Sequence, residues 1–353
     1  MEIEVKKTVE NEEYEQFLKK NTNVTFFHSK KHLNFLSNIL ELEPKFIVAR
    51  KQKEITGIIP FFIKRSVYGN VINSLPFFGS HGGIISEDHE IMKPLLEFLN
   101  NFNKENDVLS SVLITNPFTK DNTPYEKFYN FNFKETRLTQ CTILQNENKN
   151  TLWDKLEKRT RYTIKKSKTD AVVSTEVKIE DCEKDFYKMY KTGMETKSSN
   201  LKPPHFFQSI KNNFSQGKDY DIFMASNNSE PIAYLLVFYY NGFTEYYMPA
   251  FNLKWKNLNG ISNLIWKSIE KSFDTGMDFY NFGGTLDNQK SLYLFKRGWN
   301  STDFNYNYYI FSDLDRLKHA DVNELKKHYQ YFYVFSYEKI LSMQNHNSDV
   351  NFA

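Results

Sequence analysis

The chain has 353 residues, of which 40% are hydrophobic and 25% are charged, and this composition is typical of a folded, soluble protein. Its net charge of +3 lacks the strongly basic character of a dedicated nucleic-acid-binding domain, although a local basic patch is compatible with it. The two cysteines, Cys141 and Cys182, stand in no metal-ligand or redox spacing and give no sign of a disulfide framework, which indicates a reducing compartment.

The first half of the chain predicts an alternation of helices and strands. Two apolar strands joined by a Lys-Gln-Lys-Glu turn predict a hairpin near its start. In chain order, the predicted elements are helices at 12–20 and 31–42, strands at 45–50, 55–63 and 71–78, a helix at 91–102, a strand at 112–115, a short helical turn at 125–129 and a strand at 136–144.

The second half repeats this order at a nearly constant offset, which indicates an internal duplication. Two independent α/β successions are the alternative. The repeated elements are strands at 221–225, 231–240 and 244–249, a helix at 261–273 that a loop ending at Gly260 opens, a strand at 277–282, a short helix at 292–297 and a closing strand at 303–311. A final helix is predicted at 322–343.

A helix-rich insert separates the two halves. Residues 151–168 show helical spacing of apolar positions, and Arg161, Lys165 and neighbouring cations make one face strongly basic. Further helices are predicted at 182–194 and 205–214.

The stretch 278–299 is the strongest candidate for a functional site. It reads as an aromatic strand, a break at Gly283 and Gly284, a polar loop, and a short helical turn that carries Lys296 and Arg297. A glycine pair marks backbone that takes positive φ or approaches another group closely, and a Lys-Arg pair beyond it can meet an anion. A strand, a turn and a capped helix without any function are the alternative that local patterns leave open.

Three segments, taken together, resemble the FemAB-like branch of the GNAT acyltransferase superfamily. This branch includes peptidoglycan-bridge aminoacyltransferases and BioF2-like acetyltransferase domains. Residues 153–168 are similar to its Leu-Trp…Arg-x-x-Ile-Arg/Lys-Lys-Ala helix, 74–83 to its Leu-Pro…Gly-Gly segment, and 278–299 to its Phe-x-Gly…Leu-x-x-Phe-Lys ending. The sequence departs from the branch at Asn281, where Asp is frequent, at Asn300, where Gly is usual, and at Ser291, which replaces Gly.

The resemblance implies an α/β fold with a mixed sheet, built from two tandem GNAT-like domains. We place the first domain at 1–148 and the second at 149–353, with the helical insert at about 150–215 and a C-terminal helix. In this superfamily a splayed strand presents free backbone N–H groups to the acyl donor. Here that strand is predicted at 244–249, with Pro249 ending its pairing because proline has no N–H to donate.

The resemblance also implies site residues. Lys296 matches the lysine of the Phe-Lys motif and is the first candidate catalytic residue, able to stabilise an oxyanion or a phosphate. Tyr247 is the candidate proton donor to a leaving group; Tyr246 and Tyr247 alternate, so only one of them can face a cleft. Glu245 and Asp287 are weaker candidate bases. Substrate binding is assigned to Arg161, Lys165, His81, Gly283 and Phe295.

The donor is predicted to be aminoacyl-tRNA or acyl-CoA, with no tightly bound cofactor and no metal site. Acyl-CoA enzymes of the superfamily hold pyrophosphate on a glycine-rich loop at a helix N-terminus. Here that loop keeps only Gly260, with Lys256 and Asn257 nearby as candidate cofactor-binding residues. This degenerate loop argues against acyl-CoA as the donor and is compatible with aminoacyl-tRNA.

The predicted function is therefore transfer of an acyl or aminoacyl group onto an amine of a cell-envelope precursor, such as a peptidoglycan peptide or an amino sugar. The alternatives are a BioF2-like acetyl-CoA-dependent N-acetyltransferase in surface-polysaccharide synthesis, and a non-catalytic binding module of the same fold. Expected partners are a nucleotide- or lipid-linked precursor and, for the aminoacyl-tRNA donor, tRNA; DNA is not an expected partner. No apolar run suggests a signal peptide or a membrane span, so a cytoplasmic location with peripheral membrane contact at most is expected.

Overall fold

Strands and helices alternate along the chain as the apolar periodicity predicts, and the α/β fold class is confirmed. The computed structural model describes residues 1–21, 24–77, 81–86, 88–119, 121–196 and 200–350, the last five by their backbone alone. The strands are β1 (Glu2–Lys6), β2 (Lys45–Lys51), β3 (Glu54–Ser66), β4 (Gly69–Asn73), β5 (Val108–Ile114), β6 (Phe133–Ile143), β7 (Val173–Val177), β8 (Tyr220–Asn227), β9 (Glu230–Tyr240), β10 (Phe243–Phe251), β11 (Phe279–Thr285) and β12 (Ser301–Ser312).

The helices follow the predicted amphipathic segments, and none of those described is long and apolar enough to cross a membrane. They are α1 (Asn11–Lys20), α2 (Lys30–Leu40), α3 (His89–Glu105), α4 (Thr123–Phe128), α5 (Lys149–Lys155), α6 (Lys158–Thr169), α7 (Ile179–Glu195), α8 (Phe206–Asn213), α9 (Gly260–Asp274), α10 (Lys290–Arg297), α11 (Leu314–Leu317), α12 (Val322–His328) and α13 (Tyr337–Val350), with short 3-10 helices at Phe26–His28 and Leu253–Leu258.

The chain forms two units that differ from the predicted domains. The first unit comprises Met1–Arg137 together with Asn305–Ala353, and the second comprises Leu138–Phe304. The C-terminal segment, which the prediction placed with the second domain, therefore groups with the N-terminal part of the chain. The single helix predicted at 322–343 is two helices, α12 and α13.

The first unit is built on strands in the order β1-β2-β3-β4-β5-β12. All neighbouring pairs are antiparallel except β4 and β5, which are parallel and are joined through α3. Helix α3 places Ile91, Leu95 and Leu99 at one-turn spacing, and these side chains are buried in the core on the sheet. The Asp88 side chain accepts a hydrogen bond from the Glu90 backbone N–H and caps the helix at its start.

The second unit repeats this plan in the order β6-β11-β10-β9-β8-β7, with β10 and β11 as its parallel pair. Helix α9 joins that pair and buries Leu264, Ile265 and Ile269 against the strands. It begins at Gly260 as predicted, and a Cβ there would lie 3.0 Å from Ile232 Cδ1. Glycine at position 260 thus allows the start of α9 to approach β9 closely.

The closing strands of the two repeats are exchanged. In a simple duplication, β6 would finish the first sheet and β12 the second. Instead, β12 pairs with β5 through Tyr308–Ser312, and β6 pairs with β11 through Leu138–Ile143. Each unit therefore takes its last strand from the other half of the chain, which explains why the unit boundaries fall at 137 and 305.

The helix predicted at 151–168 is interrupted, because Leu156 and Glu157 both adopt extended ψ angles of 146° and 145° between α5 and α6. The interruption lets the start of α6 meet the end of α10. The Glu157 backbone N–H donates to the Gly298 carbonyl at 3.0 Å, and a Cβ at position 298 would overlap Thr160 Oγ1. Gly298 therefore permits the contact between α6 and the helix that carries Lys296.

We expect Gly298→Ala to destabilise the protein by about 1–3 kcal/mol, since the added methyl group overpacks this contact. Thr160→Ala removes the oxygen in question and should restore most of the loss in the double variant. Urea unfolding of the wild type, both single variants and the double variant measures the coupling free energy. Additive effects of the two substitutions would show that the Thr160 hydroxyl group does not restrict the side chain at position 298.

Candidate functional site

Strands β10 and β11 part within the second unit, and the candidate site is built around that point. The two strands pair only from Phe243 to Glu245, where Glu245 lies opposite Asn281. Strand β10 then continues along β9 as far as Phe251, after a bulge between Tyr246 and Met248. In the described chain, no strand pairs with the β11-facing edge of β10 beyond Glu245.

The predicted splay of this strand is therefore present, but the part assigned to Pro249 is wrong. Pro249 remains opposite Leu235 in the β9–β10 register, and the pairing with β11 ends four residues earlier. The parting coincides with the glycine break of β11, where its register with β6 shifts between Asn281 and Gly284. A bulge on each strand bends the two backbones away from each other.

The Asn281 side chain connects three strands at this point. Its Oδ1 accepts a hydrogen bond from Thr139 Oγ1 at 2.8 Å and another from the Gly283 backbone N–H at 3.0 Å. Its Nδ2 donates to Glu245 Oε2 at 2.8 Å. An aspartate here, as is frequent in the FemAB-like branch, has no donor for Glu245 and would place a second carboxylate beside it. The departure at Asn281 thus fits the glutamate at position 245.

Glu245 is a buried residue, only 3% exposed, and it is the last residue of β10 that pairs with β11. Its Oε1 has no hydrogen-bond partner within the described structure. Burial raises the pKa of Glu245 to about 8, against the opposing effect of the Asn281 hydrogen bond. A carboxyl group with this pKa exchanges its proton near neutral pH, as a general acid or base requires.

Lys296 fixes the glycine break from the side of α10. It is 3% exposed, and its Nζ donates to the carbonyls of Gly283 and Gly284 at 2.9 and 2.8 Å and to Thr285 Oγ1 at 2.9 Å. Burial lowers the pKa of Lys296 to about 7, whereas three acceptors favour the ammonium form. Because all three donors are used within the chain, this geometry makes Lys296 a positioning residue, and its catalytic role stays a prediction.

Gly283 has a conformational reason to be glycine, since its φ is +73° and nothing lies within 4 Å of where a Cβ would be. Asn300, at the other end of α10, has a φ of +59°. Asparagine tolerates this left-handed conformation better than most residues, so the departure from the usual glycine preserves the backbone.

The two tyrosines of β10 point to opposite faces, as predicted. Tyr246 packs against Phe282 in the core beneath α9. Tyr247 packs against Phe206 and Phe238 on the other face of the strand. Burial raises the pKa of Tyr247 well above its usual value, and the Glu245 charge adds to the effect. Tyr247 is thus a neutral phenol near Glu245, and its role as a proton donor stays a prediction.

Sequence reasoning missed Lys202 on that same face. Its Nζ lies 4.9 Å from the centre of the Tyr247 ring and 5.4 Å from that of Phe206. Its backbone is held by Tyr187 and Tyr190 of α7, through hydrogen bonds of 2.8 and 3.1 Å. Burial lowers the pKa of Lys202 to about 7. Nothing in the loop sequence distinguishes this lysine from a solvated one; its aromatic surroundings come from α7, α8 and β10.

Arg161 and Lys165 share one face of α6, but Arg161 has a structural task. Its Nη1 donates to the carbonyls of Asp154 and Leu156 at 2.6 and 2.8 Å, and to that of Trp153 at 3.3 Å, which satisfies the C-terminal end of α5. Lys165 is exposed, 5.9 Å from the Trp153 ring. Their substrate-binding roles stay predictions.

The remaining predicted residues of the second unit lie around α9 and α10. Phe295 packs against Trp299 and the core, so the structure gives it a packing role beside its predicted one. Lys256 and Asn257 are exposed on the turn before Gly260. Asn259, between them and the helix, has a φ of +54° and makes no side-chain cap to α9. The described chain also holds no cluster of His, Cys, Asp or Glu suited to a metal ion.

His81 belongs to the first unit and is buried with two other histidines. Its ring lies 4.5 Å from Tyr306 and 5.4 Å from Phe27, and neither ring nitrogen has a hydrogen-bond partner in the described structure. Burial lowers the pKa of His28 to about 4 and those of His32 and His81 to about 3. Residues 78–80 of the adjacent predicted segment lie outside the described residues.

Comparisons with known proteins agree with this geometry. Residues 154–297 match the family model described as an acetyltransferase (GNAT) domain. Among solved structures, FemX has a TM-score of 0.70 at 12% identity, covering 93% of this chain and 99% of that one. The C-terminal domain of a putative lysylphosphatidylglycerol synthetase from Agrobacterium fabrum has a TM-score of 0.56 at 8% identity, covering 86% and 92%.

A tandem GNAT protein from the clavulanic acid biosynthesis pathway has a TM-score of 0.51 at 8% identity, covering 87% of this chain and 98% of that one. No curated protein matches the chain by sequence. Residues 154–297 thus match a GNAT-type domain model, and the fold has the tandem architecture of the solved structures that it resembles. Within that superfamily, the resemblance to the FemAB-like branch is confirmed at the level of the fold.

We expect Lys296→Met to lower the free energy of unfolding by about 2 kcal/mol, because two carbonyls and a hydroxyl lose their shared donor. Methionine keeps the length of the side chain, so packing loss is small. Lys290→Met, on the exposed first turn of the same helix, is the matched control and should be neutral. Equal urea midpoints for the two variants would mean that Lys296 does not hold the glycine break.

Acid should destabilise the first unit through its three buried histidines. Each pKa is lower in the folded protein than the value of about 6.5 in an unfolded chain, so the unfolded state binds more protons below that pH. The contribution of these histidines to the free energy of unfolding is complete above pH about 6.5. Below that pH it decreases by up to about 1.4 kcal/mol per pH unit for each histidine.

His81→Phe removes one titrating group while keeping a ring between Phe27 and Tyr306. The variant should therefore lose less stability than the wild type between pH about 6.5 and 5 in urea unfolding. His319→Phe, at an exposed position of the same unit, should leave the pH dependence unchanged. An unchanged slope in His81→Phe would show that His81 is not held neutral by the fold.

Proposed function

We propose that this protein transfers an acyl or aminoacyl group onto an amine of a cell-envelope precursor, such as a peptidoglycan peptide or an amino sugar. The observation that carries the proposal is the parting of β10 from β11 beside the buried Glu245 carboxyl, whose Oε1 has no partner in the described structure. Acyl transfer to an amine needs a bound carbonyl, a stabilised oxyanion and an acceptor for the amine proton. This point of the fold offers groups suited to each.

In the proposed reaction, the neutral amine attacks the donor carbonyl held along the free edge of β10. The new C–N bond forms as the bond from the carbonyl carbon to the leaving oxygen or sulfur breaks. Backbone N–H groups at the splay stabilise the oxyanion. The amine proton passes to Glu245, directly or through water. Tyr247 protonates the leaving group and regains its proton from Glu245, so both groups return to their starting state. Asn281 orients Glu245, and Lys296 keeps the glycine break in place.

The acceptor class is inferred from the fold. FemX and the putative lysylphosphatidylglycerol synthetase domain share the tandem architecture. The second name refers to an aminoacylated lipid, so the fold is compatible with aminoacyl transfer to membrane components. The degenerate loop before α9, with exposed Lys256 and Asn257, supports aminoacyl-tRNA as the donor, because a glycine-rich pyrophosphate loop is missing from positions 256–260.

A second candidate is an acetyl-CoA-dependent N-acetyltransferase acting in surface-polysaccharide synthesis. The match of residues 154–297 to an acetyltransferase domain favours it. The two candidates share the splay and Glu245 and differ in the donor. Calorimetric titration with acetyl-CoA, and separately with charged tRNA, distinguishes them. Saturable binding of acetyl-CoA that weakens in Lys256→Ala would favour acetyl transfer.

The carboxylate form of Glu245 accepts the proton, so the transfer rate should rise as the pH increases through about 8 and the group ionises. We expect Glu245→Gln to lower kcat by roughly 100-fold or more and to remove this rise, since glutamine cannot take the proton. The assay follows labelled aminoacyl-tRNA or acetyl-CoA into nucleotide-linked peptidoglycan precursors and amino sugars across pH.

Asp287→Asn is the control, because Asp287 is the other candidate base and lies exposed in the loop before α10. It should keep the activity and pH profile of the wild type. A Glu245→Gln variant with unchanged kcat and pH profile would remove Glu245 from the mechanism. Absence of transfer by wild-type protein with either donor would favour the non-catalytic alternative.

A further inference from the structure

Helix α6 carries an unusual amount of positive charge for its place in the fold. Six of its twelve residues are lysine or arginine, and its first turn contains no acidic residue. Lys158 and Arg159 occupy that first turn, where the helix dipole already provides a partial positive charge. Cations at a helix N-terminus are electrostatically unfavourable, so their position calls for another source of stabilisation.

Only part of this charge is compensated inside the protein. Arg161 binds the carbonyls at the end of α5, and Lys166 pairs with Asp170 at 2.8 Å. Four further cations are exposed and form no ion pair with the described residues: Lys158, Arg159, Lys165 and Lys168. Glu157 precedes them at the N-cap and is not paired with any of them in that part of the chain.

An exposed aromatic ring stands among these cations. Tyr162 is 62% exposed, while Ile164 and Ser167 on the opposite side of α6 are buried. Lys158 and Arg159 lie one turn before Tyr162, and Lys165 lies one turn after it, so the ring and these three charges share the outward face. Lys168, also exposed, lies one turn beyond Lys165 at the edge of that face. We call this set, Lys158, Arg159, Tyr162, Lys165 and Lys168, the α6 face.

We propose that the α6 face docks on the anionic surface of a phospholipid membrane. Flexible lysine stems bring their charges to lipid phosphates while their methylene groups lie at the interface. A tyrosine beside them suits the same depth, with its ring among the acyl-chain ends and its hydroxyl among the headgroups. Each cation near such a surface contributes about a fivefold factor in binding, so four of them support reversible docking.

A membrane fits the α6 face better than a nucleic acid does. Single-stranded nucleic acid is held in basic grooves with several stacking aromatics, whereas this face belongs to one helix and carries one exposed ring. Major-groove reading needs side chains that pair with base edges, and lysine at most of these positions acts as a point charge. A fluid anionic surface needs only a cationic face with an amphipathic ring.

Docking here also specifies the acceptor of the proposed acyl transfer, and this step rests on the proposed function. The start of α6 touches the end of α10 through the 3.0 Å hydrogen bond from Glu157 to Gly298, and α10 carries Lys296 at the glycine break. A membrane beneath the α6 face lies beside the helix that supports the site. The acceptor class is then an amine on a lipid-linked precursor rather than on a freely diffusing one.

Sedimentation with phosphatidylcholine vesicles, with and without about 30% phosphatidylglycerol, tests docking on the whole protein without any activity assay. We expect binding to the anionic vesicles alone, and much weaker binding when the salt rises from about 0.1 M to 0.5 M. The variant with Lys158→Gln, Arg159→Gln, Lys165→Gln and Lys168→Gln should bind roughly 600-fold more weakly, at about fivefold for each cation. Tyr162→Ser should lose a smaller factor.

The matched control neutralises four lysines at the start of and along α7, namely Lys178→Gln, Lys184→Gln, Lys188→Gln and Lys191→Gln. It changes the net charge equally, but those lysines lie among Glu180, Asp181, Glu183 and Asp185, so it should keep vesicle binding. Equal losses in both variants, no binding of the wild type to anionic vesicles, or charge-dependent binding to tRNA alone would each overturn the proposal. Because vesicle binding needs no turnover, its failure is distinct from failure of the transferase proposal.

Discussion

The site depends on the Asn281 side chain, which joins β6, β11 and β10 at the point where β10 and β11 part. One amide group accepts from Thr139 and from the Gly283 backbone and donates to Glu245. Strands that separate leave polar backbone groups without a ladder partner, and such groups are costly unless something holds them. Asn281 forms hydrogen bonds with both the Glu245 carboxyl group and the backbone N–H of Gly283. The opening between the strands is therefore a defined geometry, held by side chains.

Helix α10 supports the same opening from the other side. Lys296 donates to the carbonyls of Gly283 and Gly284, Gly298 permits the contact of the helix end with α6, and Asn300 follows in a left-handed conformation. Three of the residues involved are glycine or asparagine at positions where a larger side chain would strain the backbone or collide. Lys296 thus holds the glycine break through backbone contacts, and this accounts for a lysine that is buried rather than solvated.

Much of the fold follows from local patterns, because hydrophobic periodicity and the breaker residues between segments determine each element. The order of most strands and helices, the start of α9 beside Gly260 and the opposite directions of Tyr246 and Tyr247 are confirmed, whereas strands β1 and β7 are absent from the prediction. The exchange of β6 and β12 could not be predicted, since both strands carry similar apolar patterns and only long-range pairing selects their partners. The break between α5 and α6 contains neither Gly nor Pro. It is stabilised by Arg161, whose charge suggested ligand binding and whose observed contacts are with the end of α5.

Buried ionisable groups distinguish the site from the rest of the core of the second unit. Glu245, Lys202 and Lys296 each have a pKa that burial moves towards neutrality, and all three belong to the second unit. Lys296 is explained by its three hydrogen bonds to the glycine break. At Glu245 and Lys202, apolar residues of similar size would avoid the desolvation penalty, so stability alone does not explain these two groups. Glu245 and Lys202 both border Tyr247, on the face of β10 covered by α7 and α8. That face therefore places a carboxyl group, a phenol and an amine beside the point where β10 parts from β11.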